Sequence, residues 1–399
     1  AGQYTSIAMD SNDIPHFSYH DSSNKDLKYA YWNSGSSSWS ITIVDSTGSV
    51  GRYSSLVIDY VDHSHISYYD TDNGTIKYAK RVDTTWSTPE VVETVGSNYL
   101  FPLFTSISVD GTGTAHLIYG KQTGSRILDL QHAYWTGSAW STTKVDSSQG
   151  GMEIGSTGTS IAIDEQGNFH ICYIDRGNYR GNSAVKYAYG NGTSWTISLI
   201  DAGTSPATSV YEHIAPAIAV DGKGRPHVAY AFSENYSVYA LKYAYWNGTS
   251  WDIATVDTVS AADVSIALDS EATPHISYRD RGSNDLRYAY WDGNNWKPDK
   301  IYTTGGAGYG SSIAIDSNNN PHISFTKDYN SLYYAYWDGS WNFLPIAPAE
   351  GGSTSIVLDS QDKPRISYMN TDALNYAYYD GSSWNTEVVD SDGQLAWDT

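Results

Sequence analysis

The sequence predicts an all-β fold, an eight-bladed β-propeller with four antiparallel strands per blade, and three observations carry that prediction. One unit recurs eight times along the 399 residues. Each unit holds four short stretches that alternate with period two and are rich in Ile, Val, Tyr and Trp. Successive units start 43 to 57 residues apart, the length that a four-stranded blade needs. The expected organisation is a single domain, 1–399, with blades at approximately 5–53, 54–104, 105–158, 159–215, 216–264, 265–311, 312–354 and 355–399.

An aspartate marks each unit: Asp10, Asp59, Asp110, Asp164, Asp221, Asp269, Asp316 and Asp359. Six residues on stand His16, His65, His116, His170, His227, His275, His322 and, in the last unit, Arg365. An alanine follows in a segment like "KYAYW" (Ala30, Ala79, Ala133, Ala188, Ala244, Ala289, Ala335, Ala377). A tryptophan closes the series (Trp39, Trp86, Trp140, Trp195, Trp251, Trp296, Trp341, Trp384).

The first strand, as in "SIAID", has the smallest side chains, so it suits the crowded axis. The turn "SNNNP" leads to the second strand, as in "HISYY". With Asp316 opposite His322, Ser312, Ala314, His322 and Ser324 share one face, and Ile313, Ile315, Ile323 and Phe325 share the other. The large face of one blade can then fill against the small face of the next. In the third strand, Trp32, Trp135, Trp246, Trp291 and Trp337 recur. They are assigned to the small face as inter-blade packing, with sugar stacking as the alternative. The fourth strand becomes the outer edge, and its Trp covers the rim. The sequence starts just before a first strand and stops just after a fourth. Blade eight is therefore expected to pack on blade one without strand exchange, and only the tail "GQLAWDT" could add a clasp.

An Asp–His pair can be a general base with its orienting carboxylate or part of a metal site. Eight copies argue instead for a hairpin fastener, because a buried carboxylate must find donors. Arg365 opposite Asp359 keeps a donor and loses imidazole chemistry. The sixteen residues of these pairs are therefore assigned structural roles. "DSNNN" lacks most carboxylates of a calcium loop.

Strand direction alternates, so the first–second and third–fourth turns lie on one face of the disc. The second–third loops and the crossovers lie on the other. The first face is uniform and the second varies, and variation on a rigid scaffold points to function. Second–third loops hold 7, 7, 10, 11, 10, 7, 6 and 5 residues, and together with the crossovers they make blades two to five the most elaborated. From each closing Trp to the next Asp the steps are 20, 24, 24, 26, 18, 20 and 18 residues. The candidate ligand-binding residues there are Tyr99, Phe101, Arg126, Glu153, Arg176, Tyr179, Arg180, Tyr211, Glu212 and His213. Aromatic faces with Arg and carboxylates suit sugar rings or a protein loop. As a lyase, the same face would use His213 as base, Arg176 or Arg180 on a uronate and Tyr211 as proton donor. As a hydrolase it would pair Glu153 with Glu212. Asp70 with Asp72, Asp280 with Asp285, and Asp21 with Asp26 could hold calcium, although solvated turns are the simpler reading. No cofactor is otherwise expected.

A formal net charge of −21 leaves no basic face for a phosphate backbone, so nucleic acid is excluded as a partner. No apolar run is long enough for membrane insertion. Cys172, the single cysteine, reads as a buried small residue. Abundant Tyr, Trp, Gly, Ser, Thr and Asn suggest an extracellular or cell-surface protein, and sequons at Asn73, Asn191, Asn235 and Asn247 are compatible with export.

The hairpins "WDGNNW" (291–296) and "YDGSSW" (379–384) resemble the Asp-box of sialidase-type repeats in secreted bacterial and archaeal propellers. The leading Ser/Thr and the residue between Asp and Gly are missing. The Asp-box is itself a hairpin device, so the resemblance implies a propeller and no activity. Sialidase chemistry would need an arginine triad that the first strands lack. The expected function is a non-catalytic module that binds a glycan or an extracellular protein. The alternatives are a lyase or glycosidase on the same face, and a self-assembling surface-layer, adhesin or filament module.

Overall fold

The computed structural model describes residues 3–96, 104–124, 127–147, 154–175, 183–203, 215–234, 238–351, 353–370 and 373–391. Eight antiparallel sheets follow one another along the chain, each with its strands in sequence order. The molecule is an eight-bladed β-propeller, and no helix occurs among the described residues. Blade one is built from Gln3–Met9, Pro15–Asp21, Asp26–Asn33 and Ser38–Asp45. Blade seven is built from Tyr309–Ile315, Pro321–Lys327, Ser331–Trp337 and Trp341–Pro348.

Second strands are buried along almost their whole length, and fourth strands are largely exposed. First strands meet around the axis. The Leu56 N–H donates to Ser6 Oγ at 3.1 Å, and Ile107, Ile218, Ile313 and Ile356 donate at 3.3 Å to Ser55, Ser160, Ser265 and Ser312. Each of these bonds joins consecutive blades, so the small serine of "SIAID" links inner strands that have no room for a larger side chain.

The hairpin register matches the expected facing. Ser312 lies opposite Ser324, Ile313 opposite Ile323 and Ala314 opposite His322. Each seam between blades sets the large face of one against the small face of its predecessor. Leu56, Ile66 and Tyr68 of blade two pack on Ala8, Leu27 and Tyr29 of blade one. The third-strand tryptophans depart from expectation. Ser18 pairs with Tyr29 and Phe17 with Ala30, so Trp32 falls on the large face with Phe17. It pairs edge-on with Trp39 of its own blade at 5.4 Å, as Trp246, Trp291 and Trp337 do with their own fourth-strand Trp, and Trp135 lies tilted against Trp140 at 5.6 Å. One residue of register separates the two faces, so a one-residue offset carries the tryptophans from the small face to the large one.

Two further differences have backbone causes. First strands of blades two, six and seven begin at Val50, Ala261 and Tyr309, so the expected blade starts at 54, 265 and 312 fall inside strands. A bulge precedes the motif in each, with left-handed Tyr53 (φ 55°), Asp263 (φ 52°) and Gly310 (φ 56°). An extra residue breaks the alternation by which a strand is recognised. In blade two the fourth strand is split into Thr85–Trp86 and Glu90–Thr94, because Arg81 pairs with Trp86 and Tyr78 with Glu90, which leaves three residues, 87–89, opposite two, 79–80.

Among the described residues the ring closes without strand exchange. Phe17, Tyr19 and Ala30 of blade one form one core with Leu374, Tyr376 and Val389 of blade eight. The Tyr19 hydroxyl donates to Asp390 at 2.7 Å, Lys28 reaches the same oxygen at 3.0 Å, and Trp39 Nε1 donates to Glu387 at 2.9 Å. The tail at 393–399 lies outside the described residues.

Candidate functional site

The repeated Asp–His pair is a sealed hairpin unit. In every blade the aspartate Oδ1 accepts the backbone N–H groups two and four residues on, as Asp10 does from Asn12 and Ile14 at 2.9 Å. Oδ2 meets the histidine Nε2 at 3.1 Å for Asp59–His65 and 3.5 Å for Asp269–His275, and Arg365 donates to Asp359 at 2.5 Å. With the ring proton on Nε2, Nδ1 accepts from a third-strand tyrosine. Tyr78 serves His65 at 2.8 Å, Tyr187 serves His170 at 2.7 Å and Tyr243 serves His227 at 2.6 Å. In blade three, His132 replaces that tyrosine and meets His116 at 3.1 Å. Blade five departs once more. Arg225 takes Asp221 at 2.7 Å, the histidine stands off at 3.7 Å, and His227 Nε2 has no partner.

Burial raises the carboxyls of these eight aspartates, but their hydrogen bonds outweigh it and hold them below the usual range. Burial pushes the imidazoles of His116, His170, His275 and His322 down, and those of His65 and His227 to about 4. These imidazoles are neutral and buried at neutral pH, with both ring nitrogens faced by protein groups in most copies.

On the opposite face a second set of charges joins the blades. In blade two the Tyr68 hydroxyl donates to Asp45 of blade one at 2.8 Å, and Lys77 pairs with the same carboxylate. The pattern recurs as Tyr19–Lys28–Asp390, Tyr119–Lys121–Glu93, Tyr173–Lys186–Asp146, Tyr230–Lys242–Asp201 and Tyr278–Arg287–Asp257. Between blades six and seven, rings replace charges, with Tyr302 packed on Phe325 and Tyr333 at 5.5 Å.

The carboxylates considered for calcium belong to this layer or cap turns. Asp21 holds Lys28 at 2.8 Å, Asp70 caps Asp72 and Asn73, Asp72 accepts the Ser49 N–H, Asp280 holds Arg287 at 3.2 Å and Asp285 holds Lys300 at 2.9 Å. Burial and nearby Asp21 push the Asp26 carboxyl up. Among the described residues no group of three or more His, Cys, Asp or Glu is placed to hold a metal. Cys172 is fully buried, and burial drives its thiol far up.

All ten residues selected on the elaborated loops lie outside the described residues: Tyr99, Phe101, Arg126, Glu153, Arg176, Tyr179, Arg180, Tyr211, Glu212 and His213. The same face carries another constellation, at the seam between blades six and seven. Arg279, at the end of a second strand, sends Nε to Asp263 at 2.8 Å and Nη1 to Asn284 at 3.2 Å. Its guanidinium lies 4.2 Å from the Tyr309 ring centre, and Tyr309 packs on Tyr329 at 3.9 Å. The order is thus carboxylate, guanidinium, ring, ring, and solvent beyond.

Local sequence explains the stack. Tyr309 sits in the crossover "GGAGYG", where Gly308 (φ 86°) lies so close that a Cβ would meet Leu286 Cα at 3.1 Å and Arg279 Cβ at 3.3 Å. Glycine lets the crossover lie flat on blade six and leaves Tyr309 its one large side chain. Tyr329 is at the tip of the "KDYN" turn, which closes with Asn330 N–H on the Lys327 carbonyl at 3.1 Å. Asp328 (φ 51°) and Tyr329 (φ 55°) are both left-handed, the geometry of a turn that prefers Asn-Gly. A tyrosine 52% exposed in a glycine position is strain held at a surface. Loop length, the signal followed in the sequence, passes over this short loop. The pattern-breaking Arg279 could have found it, since sister strands carry His20, Tyr69, Gly120, Ile174, Ala231, Thr326 and Met369 there.

No protein-family model and no curated protein matches the chain. Among solved structures, it is similar to an Aleuria aurantia lectin in complex with Fucα1-6GlcNAc, at 14% identity and TM-score 0.46, covering 86% of this chain and 98% of that one. A polysaccharide lyase described as a PL25 ulvan lyase aligns at 14% identity and TM-score 0.49, over 96% of this chain and 91% of that one. A Trypanosoma rangeli sialidase aligns at 12% identity and TM-score 0.43, over 77% of this chain and 56% of that one.

Proposed function

We propose that the protein is a non-catalytic carbohydrate-binding propeller, extracellular or at the cell surface, working through the face that carries its second–third loops and crossovers. The observation that supports this reading is the Arg279–Tyr309–Tyr329 stack, which ends in an exposed aromatic ring. Such a ring buries the apolar face of a pyranose at little entropic cost, while groups beside it hydrogen-bond the hydroxyls. Acid–base chemistry on this face would fall to His213, Tyr211, Glu153 and Glu212, which lie outside the described residues.

A glycan array probed with wild type and with Tyr329→Ala tests the reading. Wild type is expected to retain a defined glycan set, and Tyr329→Ala to lose at least tenfold in affinity without a lower unfolding temperature. A wild-type protein that retains no glycan on the array would end the proposal.

A further inference from the structure

We propose that the seam between blades six and seven selects an uncharged pyranose over uronate, sulfated or sialylated sugars; this rests on the carbohydrate reading above. Two cations stand near the stack, and both are committed. Arg279 is 12% exposed at its side chain, spends Nε on Asp263 and Nη1 on Asn284, and presses its plane on Tyr309. It is a positioning residue, with its charge matched by a buried carboxylate before any ligand arrives. Lys327 stands 3.9 Å from Asp328 and over the Tyr333 ring.

The group offered to solvent beside Tyr329 is instead a carboxylate. Asp328 is 46% exposed, and its Oδ1 accepts the Gly306 N–H at 2.7 Å. Oδ2, 3.9 Å from Lys327 Nζ, makes no hydrogen bond among the described residues and can accept from a sugar hydroxyl. An anionic ligand would meet Asp328, whose neighbouring cations among the described residues, Arg279 and Lys327, already face carboxylates, on a chain of formal net charge −21. A neutral ring meets an aromatic plane and a hydroxyl acceptor, which is the complement of its own two surfaces.

Affinity electrophoresis separates the outcomes. Gels contain a neutral polysaccharide (galactomannan, xyloglucan or mixed-linkage β-glucan) or an acidic one (polygalacturonate or heparin). Wild type is expected to be slowed by at least one neutral polymer and by neither acidic one. Asp328→Asn should weaken the neutral interaction several-fold. Tyr329→Gly should weaken it at least tenfold while the thermal midpoint rises, a combination that a merely structural tyrosine would not give. Slowing by acidic polymers alone, strengthened in Asp328→Asn, would overturn the neutral class and leave carbohydrate binding standing. Neutral binding unchanged in Tyr329→Gly would overturn this site. Migration unaffected by any polymer would count against both readings.

Discussion

At the scale of single residues, one tyrosine in each of six blades joins two devices. The first tyrosine of "KYAYW" gives its hydroxyl to the histidine of its own hairpin and its ring to the tryptophan of the next blade. Tyr29 meets Trp86 edge-on at 4.9 Å and Tyr243 meets Trp296 at 4.8 Å; in blade eight, where Arg365 stands for the histidine, Tyr376 keeps the ring contact with Trp39 across the closing seam at 5.5 Å. Where His132 replaces the tyrosine, it meets Trp195 at 5.2 Å. The Asp, His and Trp markers were legible in the sequence, but the tyrosine connecting them was not, because "KYAYW" offers two tyrosines on the same face. Arg365 tests the donor argument. Arg365→Ala leaves Asp359 without its side-chain partner and should destabilise by about 2 kcal/mol. Arg365→His restores the common pair opposite Tyr376 and should stay within about 1 kcal/mol of wild type; urea midpoints measure both. Tyr329→Gly relieves a left-handed tyrosine and should stabilise by about 1 kcal/mol.

At the scale of elements, a blade is a sheet with two unlike faces, and the seam is the unit of stability. Six seams carry a tyrosine hydroxyl and a Lys or Arg on one carboxylate from the preceding blade. Asp45 is 4% exposed and Lys77 10% at their side chains, so the pair is nearly dry. Removing one partner of a buried pair costs more than the pair contributes, because the other charge stays behind. Asp45→Ala should therefore destabilise by about 3 kcal/mol or more. Asp45→Ala together with Lys77→Met should recover part of that loss, as read by thermal or urea unfolding. A single mutant within about 0.5 kcal/mol of wild type would refute the argument. The face-to-face packing was legible from alternation alone. The carboxylate bridges were not, since each takes its members from two repeats.

At the scale of the whole molecule, six hairpin imidazoles that burial pushes down make the ring sensitive to acid. Burial lowers His65 and His227 from 6.5 to about 4, whereas the unfolded chain titrates near 6.5. Between those values the unfolded chain binds more protons, so stability falls as pH drops through this window. Each of the two contributes a loss of about 2 kcal/mol at pH 5 relative to pH 8. His116, His170, His275 and His322 shift in the same direction. The eight marker aspartates, held below their usual range, add their own loss at still lower pH. The thermal midpoint should be level above about pH 7 and drop steeply toward pH 5. A midpoint unchanged from pH 8 to pH 5 would contradict the buried neutral assignment. The closing seam has no covalent or strand-exchange link among the described residues, so Asp390→Asn should lower the midpoint for the entire ring.

Sequence by itself determined the blade count, the strand order, the two faces of each hairpin and the placing of each marker Asp across one turn from its His or Arg partner. Each of these is written in local spacing and repeated eight times, so neighbouring copies corroborate one another. Tertiary structure decided what arises between repeats: the serine links around the axis, the Tyr–Trp contacts, the carboxylate bridges and the Arg279–Tyr309–Tyr329 stack. That stack draws on a second strand, a crossover and a turn separated by 50 residues from first to last. Its parts acquire a common chemistry only when two blades are pressed together, a glycine-rich crossover lets their backbones approach, and the closed ring holds them there.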